Sequence, residues 1–190
     1  MPIQAGTIRR PRMTSGKKGV WLFAVVALSL LALDLWTKHE AVARLGHEGA
    51  EYQVWEGVFS FRLVYNPGMM WGMAQDVPRF VWVAIRGGVL IALFWLYLTM
   101  QPRSWLAEVA FGFVAAGAMG NIYDNLFFVD AAGRHAGEVR DFLHFYWFEF
   151  PTFNVADACI CVGAPLLLCV LWNHDRRKAE HAATAKPPAA

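Results

Sequence analysis

Four runs of apolar residues, at 19–37, 80–100, 105–124 and 153–172, alternate with polar segments along the chain. About 20 residues of helix cross the hydrocarbon core of a bilayer, so each run reads as a membrane span. Between the first two runs the period changes. Phe59, Phe61, Leu63 and Tyr65 share one parity, and a period of two with aromatic and β-branched residues predicts a strand. Val54 and Trp55, ahead of Glu56-Gly57, predict a partner strand across a tight turn, and Asn66-Pro67-Gly68 ends the pattern. The predicted fold class is an all-α membrane protein: four transmembrane helices with a small extracytoplasmic β-sheet cradle. Residues 1–172 form a single membrane domain with outer loops at 38–79 and 125–152. The polar tail 173–190 reads as disordered. The first run reads as an uncleaved span, because Asp34-Leu35-Trp36-Thr37-Lys38 stands where a small-residue cleavage site would be.

Composition agrees with this picture. Hydrophobic residues make up 57% and charged residues 17%, against about 25% charged in soluble proteins. The placement of the basic residues is more informative than the net charge of +2. Arg9, Arg10, Arg12, Lys17 and Lys18 precede the first span without an acid among them. Arg103 sits in the turn between spans two and three, and Arg176, Arg177, Lys178 and Lys186 lie in the tail. Lys and Arg concentrate on the cytoplasmic side, so both termini are expected in the cytoplasm and the two larger loops outside. Cys159, Cys161 and Cys169 lie in one apolar run with no Cys/His zinc spacing, and no HExxH occurs. No metal, cofactor or nucleic-acid partner is expected.

The candidate chemistry lies at the span ends. Asn121-Ile122-Tyr123-Asp124 closes the third span, and Asn154-Val155-Ala156-Asp157 opens the fourth. A spacing of three puts each Asn and its Asp on one helix face, and antiparallel spans bring both pairs to the same side of the membrane. Two carboxylates at one depth can share a water; when they approach closely one retains a proton, giving an acid and a base. The plainer reading is helix capping. It suits Asp157 at a helix start but not Asp124 near a helix end. A small proton or cation transporter could use the same carboxylates. Only Arg86 lies well inside a span, however, which disfavours a conducting path. Asn121 and Asn154 either orient the carboxylates or bond helix to helix. Asp34 and Lys38, four apart in the favourable order, predict a helix ion pair. Arg86 is expected to snorkel or to pair with an acid between helices.

Five strings in this order bring a family into view: Asp34-x-x-x-Lys38; Asn66-Pro67-Gly68-Met69-Met70-Trp71-Gly72; Gly120-Asn121-x-x-Asp124; Val139-Arg140-Asp141-Phe142; and Phe153-Asn154-x-Ala156-Asp157. Over residues 20–172 the chain resembles lipoprotein signal peptidase (signal peptidase II). The resemblance implies a monomeric, metal-free aspartyl endopeptidase of the bacterial inner membrane, surrounded by lipid. Its substrate would be a prolipoprotein, cut before a diacylglyceryl-modified cysteine. It implies Asp124 and Asp157 as the catalytic dyad, and Asn66, Asn121, Asn154, Asp34, Lys38, Gly68 and Asn125 as the substrate-binding set. It also implies that the first outer loop forms a β-cradle and the second a flap. Two departures stand out. Asn125 occupies a position where the family usually has Arg, and Met69 and Met70 replace residues that are usually small. A catalytically altered paralogue that binds lipoproteins without cutting them is the alternative these departures suggest.

Overall fold

The computed structural model describes residues 16–67, 78–101, 103–147 and 150–184. In chain order the elements are α1 (Gly16–Leu45), β1 (Glu51–Trp55), β2 (Phe59–Asn66), α2 (Arg79–Thr99), α3 (Trp105–Phe127), β3 (Val139–Phe145) and α4 (Val155–Thr184). All four helices are long and apolar enough to cross a membrane, at the places the apolar runs predict.

The third helix is the hub. It packs against α1, α4 and α2, and Ala107, Ala110, Phe111, Val114, Ala115 and Ala118 along it are buried. The outer helices turn Trp21, Leu28, Ile91, Trp95, Leu168 and Trp172 outward. That pattern suits a bundle whose solvent is lipid, where exposed apolar side chains carry no penalty. Ser104 starts α3 by accepting a hydrogen bond from the Ala107 amide, an N-cap of the ordinary kind.

Small residues set the spacing of the bundle. A Cβ on Gly117 would come within 2.4 Å of the Ala156 carbonyl oxygen on α4, and one on Gly120 within 2.3 Å of an Asp34 carboxylate oxygen on α1. A Cβ on Gly163 would meet the Phe113 side chain at 2.7 Å. With lipid outside, helix association rests on such close packing and on polar contacts between helices.

The sheet has strand order β1-β2-β3, all antiparallel. The hairpin expected around Glu56-Gly57 is present, with Gly57 at φ +67°. The single-parity reading of β2 holds only locally. A register irregularity between Phe61 and Val64 changes the face presented, so Ser60, Leu63 and Tyr65 are the buried positions. The third strand was not anticipated. It pairs Val64 with Asp141 and Tyr65 with Arg140, so a segment read as a polar loop brings two charged residues into the interior. The helical tail also departs from expectation: α4 runs to Thr184 instead of giving way to disorder at 173. Asp175 to Ala183 contains neither Gly nor Pro and, apart from Asp175 and His181, consists of Ala, Arg, Lys and Glu, all of which extend a helix readily.

The glycine contacts predict that Gly117→Ala will lower the thermal unfolding midpoint of the detergent-solubilised protein, by an overpacking cost of about 1–3 kcal/mol. Gly87→Ala, at a position with open space around it, should leave the midpoint unchanged or slightly higher. Equal midpoints for the two variants would show that the α3–α4 approach does not limit stability.

Candidate active site

The helix ends nearest the sheet, together with the sheet itself, enclose a polar cluster. Its centre is Lys38, fully buried on α1. The Nζ lies 2.8 Å from Asp34 Oδ2 and 3.2 Å from Asp124 Oδ2, and donates to Asn121 Oδ1 at 3.0 Å. The predicted i,i+4 pair is therefore real, but it faces inward.

Asp124 is saturated. Arg140 on β3 donates to it three times: from the backbone N at 3.0 Å, from Nε at 3.3 Å and from Nη2 at 2.6 Å. With Lys38 this gives one carboxylate four donors, and none of its surface is exposed. The Arg140 guanidinium also lies 4.5 Å above the Phe128 ring. A buried carboxylate that makes a forked contact with arginine and a second contact with lysine is fixed in position by charge-assisted hydrogen bonds.

Asp157 occupies a different environment. Asn154 caps α4 by accepting the Asp157 amide on Oδ1 at 2.9 Å, and Asp157 Oδ2 accepts the Asn154 amide at 3.3 Å. This reciprocal arrangement is a capping box with Asp at its third position. Asp157 Oδ1 accepts from Asn121 Nδ2 at 2.8 Å. Unlike Asp124, Asp157 is half-buried.

Asp141 faces the same space from the sheet. Asn154 Nδ2 donates to its Oδ1 at 2.6 Å, and Asn66 Nδ2 to its Oδ2 at 3.0 Å. Asn154 thus holds Asp141 through its side chain and Asp157 through its backbone and cap. Burial, and after it the charge of Asp157, pushes the Asp141 carboxyl up to about 8. This is how one member of a close carboxylate pair behaves when both cannot ionise cheaply.

Of the sequence-predicted residues, Asp34, Lys38, Asn66, Asn121, Asp124, Asn154 and Asp157 meet in this one network. Asp34 reaches across to accept the Ala156 amide at 2.8 Å. Asn125 lies beside the network: its Nδ2 donates to the Gly137 carbonyl at 2.8 Å and its Oδ1 accepts from Arg86 Nη1. Gly68, with Met69, Met70, Trp71 and Gly72, lies outside the described residues. Arg140 and Asp141 belong to one of the strings that carry the resemblance but were not among the predicted site residues. The available signal was a charged pair set between Val139 and Phe142 in an aromatic stretch. Among the described residues no group of three or more His, Cys, Asp and Glu is arranged to hold a metal.

The described geometry has counterparts. The family model for signal peptidase II matches residues 26–173. A lipoprotein signal peptidase of Symbiobacterium thermophilum is 36% identical, over 82% of this chain and 97% of its own. One of Deinococcus radiodurans is 34% identical, over 86% of this chain and 85% of its own. Two solved bacterial membrane enzymes share the fold. One has a TM-score of 0.68 at 21% identity, covering 96% of this chain and 99% of its own. The other has a TM-score of 0.67 at 23% identity, covering 86% and 97%. With four apolar spans, the chain is a multi-pass membrane protein.

The ion cluster predicts that Arg140→Met will destabilise the fold by about 3–5 kcal/mol, the usual cost of stranding one member of a buried pair. Chemical or thermal unfolding in detergent would measure it, and a change under about 1 kcal/mol would show that Arg140 does not hold Asp124 in place.

Proposed function

The chain belongs to the signal peptidase II family, and we propose that it removes signal peptides from prolipoproteins through an aspartyl dyad of Asp141 and Asp157. The reading replaces Asp124 with Asp141 in the dyad. The observation that carries it is the shared contact of Asn154 with both Asp141 and Asp157, together with the saturation of Asp124 by Arg140 and Lys38. A carboxylate with four donors and no exposed surface is closed to an attacking water. Asp157 is half-open, and Asp141 holds a proton through neutral pH.

The chemistry follows from that asymmetry. Asp157 takes a proton from water as the water oxygen bonds to the scissile carbonyl carbon, and Asp141 gives its proton to the carbonyl oxygen. On collapse the C–N bond breaks and the leaving nitrogen takes the proton held by Asp157. A hydroxyl of the intermediate returns a proton to Asp141. Asn66, Asn121 and Asn154 fix the carboxylate rotamers, so the pair is aligned before substrate arrives. Asp124, Lys38, Asp34 and Arg140 form the base on which the asparagines stand.

Placement in a bacterial inner membrane, with both termini cytoplasmic and the site at the outer face, is supported by the bias of Lys and Arg toward the termini and the short turn. At that depth a substrate cysteine bearing diacylglycerol would be presented by its own acyl chains. We take the working unit to be a monomer.

Cleavage of a diacylglyceryl prolipoprotein peptide by the full-length protein in detergent tests the assignment. Asp141→Asn and Asp157→Asn should each reduce kcat by about 10²–10⁴-fold or more, with folding retained. Asp124→Asn should lose stability, and activity only in step with the folded fraction. A well-folded but inactive Asp124→Asn beside an active Asp141→Asn would restore the original pairing. A folded but inactive wild type would favour a lipoprotein-binding paralogue.

The raised Asp141 value sets the pH dependence. The protonated form is the active one, so cleavage should fall as pH rises through about 8. Linkage carries the same sign. The folded state binds this proton more tightly than the unfolded chain, so Asp141 costs stability progressively from the ordinary carboxylate range, near 3.8, up through about 8. A rate that climbs through that window would contradict the role of Asp141 as the acid.

A further inference from the structure

Arg86 lies within a membrane span, two turns into α2, and is half-buried. A guanidinium at that depth needs acceptors, because lipid supplies none. Among the described residues it makes one hydrogen bond, to Asn125 Oδ1, and no ion pair. Neither expectation for it, snorkelling or pairing with an acid between helices, describes this arrangement. Burial strips it of water, and of the carboxylates Asp157 acts on it most strongly, followed by Asp141 and Asp124.

Its partner is itself fixed. Asn125 is buried, with 1% exposed, and its amide donates to the Gly137 carbonyl at 2.8 Å in the loop before β3. Arg86, Asn125 and Gly137 thus form a chain from α2 through α3 to the loop that leads into β3. A guanidinium carries five N–H donors in a rigid fork, and the contact with Asn125 uses one nitrogen. The remaining donors stand beside Asn125, which directly follows Asp124 on α3 and is tied to the loop that leads into the strand carrying Asp141.

We propose that Arg86 is a substrate-positioning residue, whose free N–H groups donate to backbone carbonyls of the signal peptide beside the scissile bond. The inference rests on the peptidase reading above. Peptide carbonyls fit the requirement better than an anion does. They satisfy the donors without adding negative charge beside two carboxylates that already share one proton. Asn125 acts as the rest that holds the fork in register, so a cation stands at this corner although position 125 itself carries none.

The test uses the full-length protein and a diacylglyceryl-modified peptide. Arg86→Gln should lower kcat/KM by about 10–100-fold, as expected for losing charge-assisted hydrogen bonds, with KM carrying much of the change. Arg86→Lys should lie between, since it keeps the charge and loses the fork. The double variant Arg86→Gln with Asn125→Arg returns a guanidinium to the same corner from α3 and should recover most of the loss. Binding reads the same contact without turnover: on an Asp157→Asn background, Arg86→Gln should weaken peptide binding about tenfold or more.

Unchanged kcat/KM and binding in a folded Arg86→Gln protein would overturn the proposal while leaving the dyad intact. Activity lost in step with thermal stability, and not regained in the double variant, would assign Arg86 to packing and overturn it equally. A wild type that neither cleaves nor binds the peptide would sink both this inference and the peptidase reading. Cleavage by wild type with the loss confined to Arg86→Gln separates the two.

Discussion

Four buried charges hold the sheet-bearing end of this bundle together. Asp34, Lys38, Asp124 and Arg140 come from α1, α3 and β3, are almost wholly removed from solvent, and sum to zero. Isolated, any of them would be costly to bury. Arranged so that each touches an opposite charge, they fix the angle at which α1 meets α3 and the depth at which β3 enters. The cost of breaking the set is what makes it a register device. A helix shifted by one turn, or a strand slipped by one residue, would strand a charge in a dry interior.

The proposed reactive pair is built on that base. Asn121 takes Lys38 on its oxygen and gives its amide to Asp157, and Asn154 joins Asn121 to Asp141. Each amide thus transmits the position of the ion cluster to a carboxylate that has no counter-ion of its own. The division of labour among the acids follows. In the proposed assignment Asp124 serves structure, held by Arg140 and Lys38, while Asp141 and Asp157 take neutral donors from the asparagines, the condition under which one of a close pair retains a proton. A strand pleat assists the separation, because successive side chains on β3 point to opposite faces. Arg140 therefore reaches Asp124 while its neighbour Asp141 reaches Asn66 and Asn154.

Glycine makes the approach possible. Where Gly120 passes Asp34 and Gly117 passes the Ala156 carbonyl, no room exists for a methyl group. The helices come close enough for the Ala156 amide, at the start of α4, to be capped by a carboxylate from α1. A helix N-terminus has free amide donors, and here one of them is used to tie two spans together across the site.

Much of this was legible in the chain itself. Apolar runs near 20 residues long are set by bilayer thickness, so four spans follow from length and composition, whatever the packing. The β1–β2 hairpin was readable because period two and a glycine turn are local signals. Asn121, Asn154 and Asp157 declared themselves by spacing on a helix. Three features were beyond reach. The third strand has no pattern of its own that outweighs a loop reading, since its pairing depends on a partner some 75 residues earlier. The helical tail was masked by its polarity. The choice between Asp124 and Asp141 was decided by long-range contact alone: each is an acid near the same membrane face, and only the arrival of Arg140 and Lys38 at one of them, and of Asn154 at the other, separates a structural charge from a reactive one. Local periodicity determined the four spans and the β1–β2 hairpin. Tertiary structure decided which acid keeps its proton, because that depends on neighbours brought in from three other elements.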